Sequence, residues 1–153
     1  MDVEVCLKKG LNVTEGKIDE ALPFGDNHFD YAICNVTLQM VMFPELLLKE
    51  MKRISHYQVI SFPNFAFWRN RYDLFFNGRM PHPMLFGYTW YSTGHIHQFS
   101  INDFKETSKQ FGLQIIESTS INKTANPLIS FLVKSSPNLF SMENVFLLQK
   151  NNL

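Results

Sequence analysis

An α/β domain on a mainly parallel sheet is the fold class this sequence predicts, and three observations predict it. Two short apolar runs, Phe29-Asp30-Tyr31-Ala32-Ile33-Cys34 and Tyr57-Gln58-Val59-Ile60-Ser61-Phe62, flank a segment with helical spacing. The connections between the three are short, as in a right-handed crossover between parallel strands. An apolar share of 45% with only 18% charged residues suffices for one packed domain spanning 1–153.

The elements follow in order. Leu11 to Thr14 is β-prone and expected as a short strand, and the turn residues Pro23-Phe24-Gly25-Asp26-Asn27 lead out of that region. The Phe29–Cys34 run is nearly all apolar, which is how a central parallel strand covered on both faces reads. Pro44 suits a first helical turn. Leu46, Leu47, Leu48, Met51 and Ile54 then recur at helical spacing beside Glu45, Lys49, Glu50, Lys52 and Arg53, which predicts an amphipathic helix. The Tyr57–Phe62 strand is ended by Pro63, which has no N–H for a ladder.

Residues 64–100 are aromatic, arginine-containing and turn-rich without a sustained period, so an insertion carrying function or shape is expected there. Ser100 is placed to cap a helix, with Asp103 as a carboxylate version of the capping box, and Gly112 to stop it. Leu113–Ser118 and Asn144–Gln149 read as strands. Leu128–Val133 lies in a loop excursion as a short helix or strand.

Lysine plus arginine equals aspartate plus glutamate at 14 each, so no overall field would hold nucleic acid or an anionic membrane surface. No apolar stretch approaches the roughly 18 residues of a membrane span. The acidic start is unlike a signal peptide, and a cytoplasmic location is expected. Cys6 and Cys34 share no motif and read as small buried hydrophobes.

Several blocks together resemble the MetW family of methionine biosynthesis proteins, relatives of class I S-adenosylmethionine methyltransferases. They are Leu22-Pro23-Phe24 with Asp26-Asn27 and Phe29-Asp30-Tyr31, then Thr37-Leu38-Gln39, Val59 to Phe65 with Trp68-Arg69, Gly78-Arg79-Met80-Pro81, Trp90-Tyr91 with Thr93, Ile96-His97 and Asp103-Phe104. The resemblance implies a Rossmann-like class I methyltransferase fold, S-adenosylmethionine as the family cofactor, and action with a homoserine O-acetyltransferase. The chain departs from the family by lacking the first strands, the glycine-rich turn and the acidic ribose ligand. Lys17 stands where the family carries an acceptor for the adenine amine, and a lysine offers none. These departures argue against cofactor binding by this chain alone. They also make the Phe29–Cys34 strand an exposed edge, through which self-association, or cover by a partner such as another subunit, is expected. Two alternatives stay open: a small-molecule methyltransferase completed by an upstream segment, and a non-catalytic interaction module or degenerate remnant.

By position, Lys17, Ile18 and Asn35 are the candidate cofactor contacts. Asn35 and Asn64 follow the two strands at their carboxyl ends, where open parallel sheets bind ligands. Arg69, Arg71 and Arg79 sit among aromatics, where a guanidinium clamps an anion or stacks on a ring such as Trp68 or Tyr72. Asn64, Arg69, Arg79, Trp90 and His97 are the candidate substrate-pocket residues. Gly94-His95-Ile96-His97 as a strand would put both imidazoles on one face, yet no further ligands complete a metal site, and none is expected. No catalytic constellation is legible, so catalytic residues and enzyme status stay open.

Overall fold

A computed structural model describes residues 3–14, 16–18, 20–82, 91–92, 94–121 and 126–151. The chain starts with helix α1 (Val3–Lys8), then strand β1 (Phe29–Asn35), a 3-10 turn at Leu38–Met40, helix α2 (Pro44–Ile54) and strand β2 (Ser55–Pro63). Helices α3 (Trp68–Asn77) and α4 (Ile101–Gln110) precede strand β3 (Leu113–Ile121). Helices α5 (Pro127–Ser135) and α6 (Pro137–Phe140) lead into strand β4 (Glu143–Lys150).

The four strands form one sheet in the order β1-β2-β4-β3. β1 pairs parallel with β2, with Tyr31 beside Tyr57 and Ile33 beside Val59. β4 pairs antiparallel with both β2 and β3. Three strands therefore run one way and β4 runs against them. The sheet is mixed, and the expectation of a mainly parallel sheet is corrected: one of its three pairings is parallel, because the last strand enters between β2 and β3 from the opposite end.

One face of this sheet carries the core. Cys34, Ile60, Phe62, Phe146 and Leu148 from the strands meet Leu47, Leu48 and Met51 of α2 and Ile101 and Phe104 of α4. The rings of Phe62, Phe104 and Phe146 pack mutually, with centroids 4.7, 5.4 and 4.9 Å apart. Helix α2 forms as its sequence pattern dictates, with Leu47, Leu48, Met51 and Ile54 all buried. The predicted capping box of α4 is present: Asp103 N–H donates to Ser100 Oγ (3.2 Å) and Ser100 N–H to Asp103 Oδ2 (2.7 Å). Gly112, at φ +65°, follows α4 in a left-handed conformation that a side chain would strain.

The other face corrects a second expectation. β1 is parallel to β2 and lies at the sheet edge, as the resemblance implies, but it is not covered on both faces: Tyr31 is exposed and Ile33 is 72% exposed. Only Cys34 of β1 is buried, on the core side. A third correction concerns Leu11–Thr14, which forms no strand. β-propensity needs a partner ladder to be realised, and Leu11 is exposed after the Gly10 turn that closes α1. Leu128–Val133, open between helix and strand, is helical within α5.

Both cysteines are free and buried, and burial pushes the Cys34 thiol up from its ordinary pKa. Among the described residues no helix is long and apolar enough to cross a membrane.

Candidate functional site

The carboxyl ends of β1 and β2 meet in a compact polar cluster. Ser61 Oγ donates to Asn35 Oδ1 at 2.6 Å, and Val36 N–H reaches both Ser61 O (3.1 Å) and Ser61 Oγ (3.0 Å). The chain turns sharply here, since Val36 takes φ +50°, a conformation that costs a β-branched residue about 1–3 kcal/mol. Gln39, in the 3-10 turn that follows, is fully buried. Its amide Nε2 donates to Val36 O (3.0 Å), and its backbone carbonyl accepts from Ile96 N–H (2.9 Å) and His97 N–H (3.0 Å). Gln39 Oε1 has no hydrogen-bond partner among the described residues. A buried acceptor left unpaired costs about 1–3 kcal/mol.

Asn35 belongs to this cluster, and Asn64 lies one residue beyond β2. Asn64 is buried, its Nδ2 donating to Ser141 O (2.9 Å) and Asn138 O (3.1 Å) and its Oδ1 accepting from Ala66 N–H (3.1 Å). These bonds tie the end of β2 to the segment entering β4. His97 contacts Met42 O through Nε2 at 3.3 Å. His95 packs edge-on against Phe65, and burial lowers its pKa. Residues 94–100 form no strand, so the two histidines do not stand on a common strand face as expected. The backbone of Ile96 and His97 spends its N–H groups on a single carbonyl, that of Gln39, instead of on a ladder.

The other candidates lie apart from the cluster. Lys17 is exposed and pairs with Glu20 at 3.1 Å, and Ile18 is exposed. Neither has a hydrogen bond or ion pair to Asn35 or Asn64 among the described residues. Arg69 and Arg79 are exposed on and just after α3. Arg71 holds backbone instead of an anion, its Nε donating to Ala66 O (2.6 Å) and its guanidinium to Asn138 O (3.1 Å). Trp90 lies outside the described residues. Asn35 Oδ1 accepts from Ser61 Oγ, and its second lone pair and its amide NH2 make no hydrogen bond among the described residues.

Two features escaped the sequence reading. Gln39 was visible only as part of the Thr37-Leu38-Gln39 block, and nothing local marks it as buried. Helix α3 runs through the segment read as lacking a period, and its orientation is inverted. Asn70 is 1% exposed and points inward, its Nδ2 donating to Phe65 O and His82 O at 3.0 Å each. Trp68, Tyr72, Phe75 and Phe76, spaced i, i+4, i+7 and i+8, are exposed, Phe75 by 82%. Phe76 packs against Tyr72 (4.7 Å) and Phe75 (4.8 Å), forming a continuous outward ridge.

Known proteins bear out the fold. The chain superposes on an S-adenosylmethionine-dependent methyltransferase from Thermotoga maritima with a TM-score of 0.62, 16% identity, and coverage of 96% of this chain and 68% of that one. A second such methyltransferase, from Aquifex aeolicus, gives 0.56 at 12% identity over 95% and 60% of the two chains. The cyclase SpnF gives 0.59 at 12% identity over 96% and 60%. At these identities the likeness establishes the fold, an α/β fold resembling class I methyltransferases, and no activity. In sequence, the chain is 36% identical over 111 residues to the bifunctional methionine biosynthesis protein MetXA/MetW of Rhodopirellula baltica. That match takes in 71% of this chain and 18% of the relative, so the chain spans less than a fifth of that protein's length. With residues 1–148 matching the family described as methionine biosynthesis protein MetW, the chain belongs to the MetW family.

Proposed function

We propose that this chain is a methyltransferase-like protein of methionine biosynthesis that works with a homoserine O-acetyltransferase, which it contacts through the aromatic ridge of α3. The orientation of that helix carries the reading. An amphipathic helix buries its apolar stripe when nothing else covers it, yet α3 turns Asn70 inward and Trp68, Tyr72, Phe75 and Phe76 outward. Contiguous exposed aromatics of this kind mark interaction surfaces, and aromatic anchors dominate binding energy at such surfaces. The Rhodopirellula relative, whose name joins MetXA and MetW in one protein, supports the choice of partner.

The test is a calorimetric titration of the chain with the homoserine O-acetyltransferase of the same organism. The unmutated chain is expected to bind. A Phe75→Ser, Phe76→Ser variant with an unchanged melt is expected to lose about 2 kcal/mol, roughly thirtyfold in affinity. Equal affinity of the variant, or no binding by the unmutated chain, contradicts the reading.

A second contact, self-association through β1, is favoured by the exposed Tyr31 and Ile33 on an edge strand whose one charged residue is Asp30. Edge strands that avoid pairing usually carry lysine, proline or a bulge, and β1 has none of these. S-adenosylmethionine binding by the chain alone is proposed to be weak or absent, which Lys17, exposed and with no acceptor to offer, supports. A micromolar dissociation constant by calorimetry would overturn that proposal.

A further inference from the structure

Between α2 and α4 lies a groove of about 420 Å³, away from the ridge of α3. Its walls are apolar, formed chiefly by Leu48, Phe99, Phe104 and Phe111. Glu45 from the first turn of α2 and Asp103 from α4 line it together with His97, and among the described residues no lysine or arginine does. Glu45 is exposed and has no ion pair or hydrogen bond among the described residues. Asp103 spends Oδ2 on the Ser100 N–H, which leaves Oδ1 without a bond among those residues. Lys49 Nζ stands 5.8 Å over the Phe111 ring, so the chain's own cation occupies the aromatic end.

We propose that this groove binds a small organic cation, an ammonium joined to an apolar body. The ammonium sits toward Glu45 and Asp103, and the body lies on Leu48, Phe99 and Phe104. The volume falls in the range of small-ligand pockets, about 300–1,000 Å³. Apolar walls reward the body at about 25 cal/mol per Å² removed from water, while the carboxylates select the sign of the head group. Lys49 fixes the direction of binding, since it repels an ammonium from the Phe111 end. An anionic head group in the same place would meet the two carboxylates, with Lys49 only at the far, Phe111 end.

The test uses the full chain and three probes of nearly one shape: phenethylamine, phenethyl alcohol and hydrocinnamate. Nitrogen–proton correlation spectra are expected to show saturable shifts with the amine at amides of Glu45, Leu48 and Thr107. Shifts should be weaker with the alcohol and absent with hydrocinnamate. Glu45→Gln should weaken amine binding by about two- to fivefold, as expected for an exposed ion pair, and leave alcohol binding unchanged. Equal binding of all three probes, no shifts in the groove with the amine, or an amine affinity unaffected by Glu45→Gln would overturn the proposal. The outcome is independent of acetyltransferase binding.

Discussion

Helices α2 and α3 are of similar length, 11 and 10 residues, and follow strands of the same sheet, yet one buries an apolar stripe and the other an amide. α2 buries Leu47, Leu48, Met51 and Ile54 and leaves Glu45 and Lys49 in water. α3 buries Asn70 and leaves four aromatics in water. The first helix is stabilised by apolar burial and belongs to the scaffold. The second is anchored through an amide side chain, and its aromatic side chains stay exposed. The difference separates what holds this fold from what the fold presents.

The largest expected effect is on the scaffold side. Leu48→Ala empties a fully packed position and should cost about 2–5 kcal/mol in denaturant unfolding. A loss under 1 kcal/mol would mean that α2 does not anchor the core. Next comes the anchor of α3: Asn70→Ala removes three hydrogen bonds, two to the carbonyls of Phe65 and His82 and one from His82 N–H, for about 1–3 kcal/mol. That loss should appear as faster amide exchange in residues 68–77. An unchanged exchange rate would show that the helix is held otherwise. Ile33→Lys on β1 should shift light-scattering mass toward monomer, with circular dichroism confirming the fold. A stable monomer of the unmutated chain would remove the edge contact from the account. By contrast, Phe75→Ser should change stability by only about 0.5 kcal/mol, as a substitution of an exposed side chain away from the core. A large loss would place Phe75 in the scaffold and erase the contrast between the helices.

The smallest effect concerns the latch between α2 and the turn before β1. Arg53 donates to Glu50, to Asp26 and to the carbonyls of Leu22 and Phe24, and Glu50 also accepts from Leu22 N–H. Chiefly through its hydrogen bond to Arg53, the Glu50 carboxyl is held below the ordinary carboxylate range. A depressed folded pKa means that the unfolded chain binds the extra proton first as pH falls. The latch is therefore fully present above the ordinary carboxylate pKa and is lost as pH drops through the folded value. Chemical shifts of residues 22–27 should follow that titration, and Glu50→Gln should flatten it. A titration unchanged by the substitution would assign it to another group.

Much of this was legible in the sequence wherever a local pattern has one physical outcome. The stripe in α2, the Ser100–Asp103 capping box and the four strands from Phe29 onward follow from period, caps and proline stops. Strand direction was less legible: Asn144–Gln149 reads as a strand whichever way it runs, and only the path through α5 and α6 sets it antiparallel. The short run Leu11–Thr14 has propensity but no neighbour. The site was legible in part. The carboxyl-end rule found Asn35 and Asn64, but it gave no means of seeing that Asn35 bonds Ser61 or that Gln39 is buried. The α3 ridge was hidden because Arg69, Asn70 and Arg71 interrupt the aromatics, and a helical period alone does not tell which face looks outward.

The central claim, that the outward face of α3 is a partner surface, is tested most directly by amide hydrogen exchange of the chain with and without the homoserine O-acetyltransferase. Protection concentrated on residues 68–77 is the predicted result. Protection confined to other elements, or no protection at saturating acetyltransferase, would contradict the account.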